Sequence, residues 1–380
     1  MPFRVVSSPV VKEHEYTVKT HTGFAQLSVE DINAWRVLEE KVKPANVYLS
    51  IDYLIPLFQF YDNTKALLII LVYQNGKCQH NLVAAGAFMP SKNRLGLPLL
   101  STVQSIYLFN SGILLDPEDA EEGIARLLMA ACARTKSGIV KVVRSDLALS
   151  DERILARLKS KSVYSQAIKK VQHLVMLPES SGDTFLQGYM SKSRKKDIRR
   201  NLTKLKALGE LEWVLVKSSA VQDRHLQTFL NLEDDGWKGE NGSSLKSNPK
   251  AHQFFVEAFT RLAKRGMVFF TELHLNGEVI ASTCNFKCGN YAFAFKLGRL
   301  AAYDKYGVGI LNEYFIVQQL FEQWPEVNYL DSAVDQDSFL RSFWRDTIDL
   351  EDRIFTANRF IYLGYALFHR VKKAIKKNSR

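Results

Sequence analysis

Residues 267–286 read MVFFTELHLNGEVIASTCNF, two runs rich in β-branched and aromatic residues on either side of Asn276-Gly277. Asn and Gly both tolerate the left-handed backbone of a two-residue turn, so this stretch predicts a β-hairpin. Residues 67–88, LLIILVYQNGKCQHNLVAAGAF, repeat the arrangement around Asn75-Gly76. Each hairpin is followed by more strand-like sequence, a helical stretch (residues 117–135 and 308–323) and a short apolar strand (residues 139–143 and 327–330). The chain therefore reads as a duplicated α/β unit. Each copy is an antiparallel meander closed by a helix and one more strand, which gives a mixed sheet ending in a βαβ-like crossover.

A chain of 380 residues with 46% hydrophobic composition exceeds the usual length of one domain and can bury a substantial core. Its longest apolar runs, near residues 66–73 and 360–368, fall short of the ~20 residues that span a bilayer. With no apolar leader after Met1-Pro2-Phe3-Arg4, the expectation is a cytoplasmic protein without a transmembrane helix. Cys78, Cys132, Cys284 and Cys288 form neither a disulfide framework nor a zinc pattern, so reduced thiols and no metal are expected.

The net charge of +11 is concentrated in two segments. Residues 192–206 hold eight Lys/Arg against Asp197, and residues 359–380 hold seven and no acid. Phosphorylated ligands, RNA and anionic membrane all attract such segments, and composition alone does not choose. Within the first, Ile198, Leu202, Leu205 and Leu208 recur at helical spacing before Gly209, which reads as a helix with a solvated cationic face.

The two crossover helices start differently. Asp116-Pro117-Glu118-Asp119, with Glu121 and Glu122, satisfies its own helix dipole and repels a phosphate. Tyr306-Gly307-Val308-Gly309-Ile310-Leu311 lets backbone N–H groups approach an anion, so only the second start suits a pyrophosphate.

Further candidates lie around it. Leu226, Phe229, Leu230, Glu233 and Trp237 share one helical face, which turns Glu233 inward as a base of raised pKa or as a structural carboxylate partnered by Lys238. Lys296 shares a strand face with Ala292 and Ala294, where it reaches either a ligand anion or solvent, while Tyr291, Phe293 and Phe295 share the other. Asp331 ends its strand at the carboxyl edge, where sites of open sheets form or where it caps a helix. No nucleophile elbow, Walker loop or His-Glu-x-x-His occurs, which removes support for hydrolase, nucleotidase and metalloprotease readings.

Several of these residues resemble the CelD/BcsL-like (BioF2-like) acetyltransferases of the GNAT superfamily. The resemblance rests on Glu233-Asp234-Asp235-Gly236-Trp237-Lys238-Gly239, Tyr303-Asp304-Lys305-Tyr306-Gly307-Val308-Gly309, Asp331-Ser332 and Phe343-Trp344-Arg345. It departs where Asp304 stands at a position that usually holds Gln or Arg. It implies two tandem GNAT-like domains, expected at residues 1–164 (without a coenzyme site) and 165–356 (with one), followed by a basic amphipathic helix over 357–380. It also implies acetyl-CoA or a longer acyl-CoA as donor, and an amine or hydroxyl of a sugar or envelope precursor as acceptor. On that reading Glu233 or Asp331 is the base and Tyr303 or Tyr291 the acid. Lys296 and residues Tyr306 to Leu311 hold the coenzyme, and Trp237, Lys238 and Trp344 meet the acceptor. The alternatives are Fem-type aminoacyl transfer from tRNA, and an inactive scaffold held at the membrane surface by the basic C-terminus.

Overall fold

The computed structural model of the chain describes residues 15–63, 65–76, 80–93, 96–145 and 147–378, without the side chains of residues 80, 147, 148, 237 and 369–378. The first half runs β1 (Glu15–His21), α1 (Val29–Lys41), α2 (Ile51–Pro56), β2 (Leu68–Asn75), β3 (His80–Lys92), β4 (Pro98–Thr102), β5 (Leu114–Leu115), α3 (Ala120–Ala133), β6 (Ile139–Ser145), α4 (Glu152–Ser160) and β7 (Tyr164–Met176). The second runs α5 (Gly182–Tyr189), α6 (Lys192–Lys206), β8 (Leu211–Val216), α7 (Asp223–Asp234), α8 (Trp237–Glu240), α9 (Pro249–Lys264), β9 (Val268–Leu275), β10 (Glu278–Cys288), β11 (Tyr291–Arg299), α10 (Val308–Gln323), β12 (Tyr329–Asp335), β13 (Asp346–Thr356) and α11 (Arg359–Asn378).

Both expected hairpins form, β2 with β3 and β9 with β10. Past Asn75-Gly76, residues 77–79 of the first turn, Cys78 among them, lie outside the described residues. In the second turn Asn276 (φ 52°) and Gly277 (φ 79°) are both left-handed, which matches the twist of the strands they join. Each meander ends in a short parallel pair. β4 meets β6 through Leu100↔Val140 and Ser101↔Lys141, and β11 meets β12 from Tyr291↔Tyr329 to Phe293↔Asp331. Parallel neighbours need a crossover, which α3 and α10 supply.

Among the described residues the strands form one 13-stranded sheet in the order β1-β2-β3-β4-β6-β13-β7-β12-β11-β10-β9-β8, with β5 paired to β3 off that path. β13, from the end of the chain, lies between β6 and β7 and is antiparallel to both. The sheet of the first half thus runs into that of the second without an edge.

One buried cluster joins the halves. Trp35, Tyr48 and Tyr53 from the first pack with Phe229, Phe254, Phe255, Phe270 and Phe286 from the second. The Tyr53 ring stands edge-on to Phe254 at 5.5 Å and to Phe286 at 5.8 Å. Edge-to-face pairs add about 0.5–1.5 kcal/mol each beyond the area they bury. On the opposite face of the sheet α3 and α10 head separate clusters, one per half.

An ion network reinforces this seam. Arg265, just past α9, donates to Glu39 on α1, to Asp52 on α2 at 3.0 Å and to Glu40 at 3.2 Å. Arg36 holds Asp52 from the other side at 2.7 and 2.9 Å. Burial pushes the Glu39 carboxyl up to about 6, against the pull of Arg265.

The basic segments are helical. In α6, Ile198 and Leu205 are buried while Lys192, Lys196, Arg199, Arg200, Lys204 and Lys206 face solvent. In α11, Ile361 and Tyr365 pack on Leu99, Ile139 and Ile354, whereas Phe360, Leu363 and Leu367 are 84%, 50% and 64% exposed. No helix among the described residues is long and apolar enough to cross a membrane.

Candidate active site

The parallel pairing of β11 with β12 stops at Phe293↔Asp331, and beyond it the two strands part. There β12 bulges, its register on β7 jumping from Asp331↔Val175 to Asp335↔His173, with Ala333 left-handed at φ 59°. Asp331 is fully buried at this fork. Its Oδ1 accepts the Ala333 N–H at 2.7 Å and its Oδ2 accepts Asn110 Nδ2 at 3.0 Å. His173 Nδ1 stands 3.5 Å from Oδ1, and the other ring nitrogen is 3.9 Å from the carboxylate of Asp335, whose side chain is 62% exposed. Tyr48 closes the fork from the first half, donating to the Ala294 carbonyl at 3.2 Å. Burial pushes its phenol well above the ordinary value, with Asp331 adding to the rise.

Asp331 also lies at the floor of a cavity of about 700 Å³. The first half lines most of it, through residues 42–46, 110–113 and 117–122 together with Arg144 and Arg153, and Phe293, Tyr329 and Asp331 complete the floor.

The turn expected to meet the pyrophosphate lies at the other end of β11. A 3-10 turn, Ala301–Tyr306, leads to Gly307, whose φ of 63° starts α10. The first turn of α10 carries no acid, whereas that of α3 carries Glu121 and Glu122. Asp304 is paired with Arg299 at 3.0 Å, which offsets the negative charge that departs from the usual loop. A Cβ on Gly309 would sit 2.6 Å from Leu297 Cδ2, so this glycine is fixed by close packing of α10 on β11. Val308 and Leu311 turn into the core, Tyr303, Tyr306 and Ile310 are partly buried beside it, and Asn201 of α6 points at Gly307.

Glu233, 1% exposed on α7, is brought together with Lys296 and Lys238. Its Oε1 accepts Lys296 at 3.0 Å with Lys238 at 3.5 Å, and its Oε2 accepts the Leu245 N–H at 2.7 Å. Lys238 also donates to the Leu297 carbonyl at 3.1 Å, and the Lys296 ammonium lies 5.5 Å over the Tyr107 ring. Burial lowers the Lys238 pKa, Glu233 opposes the fall, and Lys296 and Arg299 add to it. Lys296 therefore reaches a carboxylate of the protein itself. The two candidate bases occupy distinct places, Glu233 under its lysines and Asp331 at the fork.

Tyr291 packs on Tyr329 at 5.3 Å, two register positions before Asp331, and Tyr303 stands in the 3-10 turn that precedes α10. Trp344 is buried, with an indole N–H that has no partner among the described residues. Trp237 opens α8, and its side chain lies outside the described residues. Asn110, Tyr48, His173 and Arg144 escaped the sequence reading. They meet the site from the first half, Asn110 across 221 residues, and no local pattern marks them.

Residues 192–339 match the family model described as an acetyltransferase (GNAT) domain. No curated protein matches the chain. Among solved structures, FemX superposes with a TM-score of 0.54 at 10% identity, covering 91% of this chain and 99% of that one. The C-terminal domain (DUF2156) of a putative lysylphosphatidylglycerol synthetase from Agrobacterium fabrum gives 0.49 at 10% identity, over 89% and 94% of the two chains. A tandem GNAT protein from the clavulanic acid biosynthesis pathway gives 0.44 at 13% identity, over 90% and 99%. The chain has the α/β GNAT fold, and the matched domain makes it a transferase of the GNAT type.

Proposed function

We propose that the protein moves an acetyl or longer acyl group from acyl-CoA to an amine, or to a hydroxyl, of a sugar or envelope precursor, with Asp331 as base. The observation that carries this is the position of Asp331, at the fork of β11 and β12 and at the floor of the cavity. The coenzyme pyrophosphate would lie on the start of α10 and the thioester at the fork. The acceptor nitrogen, entering from the cavity, gives its proton to Asp331 and attacks the carbonyl. A C–N bond forms, the C–S bond breaks, and the thiolate takes up a proton. The CelD/BcsL-like motifs around Trp237 and Trp344 support a polysaccharide or envelope acceptor.

The test is thermal unfolding with and without acetyl-CoA. A hundredfold excess over the dissociation constant contributes about 2.7 kcal/mol, or several degrees. Asn201→Asp, which sets a negative charge against Gly307 without crowding it, should abolish the shift. If no acyl-CoA shifts the wild type, the donor assignment fails. Binding of aminoacyl-tRNA that collapses with salt would then favour Fem-type transfer, for which the cationic face of α6 beside the same turn is suited.

A peripheral membrane contact is the second element of the proposal, carried by the exposed Phe360, Leu363 and Leu367 on a helix whose sequence holds no acid. Wild type should sediment with vesicles containing anionic lipid, and Leu363→Glu/Leu367→Glu should stay in the supernatant at unchanged thermal stability. Equal sedimentation of the two proteins would remove the contact.

A further inference from the structure

The cavity above Asp331 is lined by several cations, of which all but Lys43 and Arg144 are paired with carboxylates among the described residues. Arg126 pairs with Glu122 at 2.7 Å, Arg157 pairs with the same carboxylate, and Arg153 pairs with Asp151 at 3.4 Å. Arg144 differs. Its guanidinium donates to the Phe109 carbonyl at 3.3 Å and has no ion pair among the described residues. A guanidinium offers five N–H donors, so most of its capacity is open toward the cavity it lines.

The backbone explains how the side chain comes to be there. β6 bulges against β13, where the register jumps from Glu351↔Ser145 to Arg353↔Val142, and Arg144 is left-handed at φ 47°. β12 of the second half carries a similar bulge with a left-handed Ala333. The bulge therefore belongs to the duplicated architecture, while the arginine is peculiar to the first copy.

Beside it, Asn110, another lining residue, is 5% exposed and donates Nδ2 to Asp331, which leaves its Oδ1 buried and without a partner among the described residues. A buried acceptor left unmade costs about 1–3 kcal/mol unless something supplies an N–H or O–H. The residue preceding Asn110 is Phe109, whose carbonyl holds Arg144. Among the described residues, one corner of the cavity thus brings together a buried, unpartnered acceptor, a carboxylate and a guanidinium without an ion pair.

We infer that the acceptor is an amine that also carries an anionic group, a carboxylate or a phosphate. Arg144 grips the anion, Asn110 Oδ1 takes one N–H of the amine, and the nitrogen is set against Asp331. The assignment rests on acyl transfer at Asp331, and its test is arranged to fail separately. Calorimetric binding to the full chain without acyl-CoA is measured for β-alanine, O-phosphoethanolamine and ethanolamine. At least one anionic amine should bind ten times more tightly than ethanolamine or better, and whichever wins distinguishes carboxylate from phosphate. Arg144→Gln should erase this preference, and Arg144→Lys should keep part of it, with the unliganded unfolding temperature unchanged in both. Equal binding of ethanolamine, a preference that survives Arg144→Gln, or no binding of either anionic amine at millimolar concentration overturns the inference. A preference dependent on Arg144 without any acyl transfer sinks the catalytic reading alone.

Discussion

Replacing Asp331 by Asn should lower turnover roughly 10²- to 10⁴-fold, the usual contribution of a positioned general base, while the unfolding shift produced by acetyl-CoA stays as in the wild type. The substitution keeps the shape of the side chain. Its oxygen still accepts the Ala333 N–H, and Asn110 can turn its amide to offer the oxygen in place of Nδ2. Stability is therefore little affected, and the loss reads on chemistry. Glu233→Gln is the matched comparison. It removes the counter-charge of Lys238 and Lys296, so its effect should fall on thermal stability before turnover. The reverse pattern, turnover surviving Asp331→Asn and vanishing in Glu233→Gln at unchanged stability, would move the base to α7.

Arg265→Ala should destabilise the fold by about 3–5 kcal/mol, as expected when one partner of a buried pair is removed and the other is left charged. For a chain of this size that corresponds to a fall of roughly 4–6 °C in unfolding temperature. The defect should depend on pH. The folded-state pKa of Glu39, about 6, lies above the ordinary value of a free glutamate. Folding thus favours its protonated form, and this contribution is fully present below the unfolded value and lost as pH rises through about 6. Without Arg265 the carboxyl rises further, so the loss deepens. At Asp52 burial acts to raise the pKa, but Arg36 and Arg265 hold it below the usual range. That contribution is present above the unfolded value, and losing Arg265 shrinks it. Both effects make the variant's deficit larger at pH 8 than at pH 5. Urea denaturation at the two pH values checks this, and a deficit independent of pH would show that Arg265 acts through packing.

The repeated Asn-Gly hairpins, the crossover helices and the contrast between their starts were legible because each is written within one short run of neighbouring residues. The inward turn of Glu233 and its pairing with Lys238 followed from helical spacing in the same way. Lys296 was placed on the correct strand, but its partner lies on another element, and a strand's alternation does not name what faces it. The Asn110–Asp331 contact, the Tyr48 hydroxyl at the fork and the position of Arg144 join the two halves, and no local pattern encodes a contact across such distances. The place of β13 was hidden for the same reason, since its sequence reads as an ordinary strand and its neighbours are set by topology.

That placement has a consequence for synthesis. While the chain emerges from the ribosome, β6 and β7 are made first and the strand that separates them follows some 170 residues after β7. Until residues 346–356 appear, β6 and the facing edge of β7 lack their permanent neighbour. The first half must wait with open backbone on both strands, in the condition that invites exchange with another copy or capture by a chaperone. A chain interrupted before Asp346 would release that unfinished seam, which makes β13 the latch that closes it.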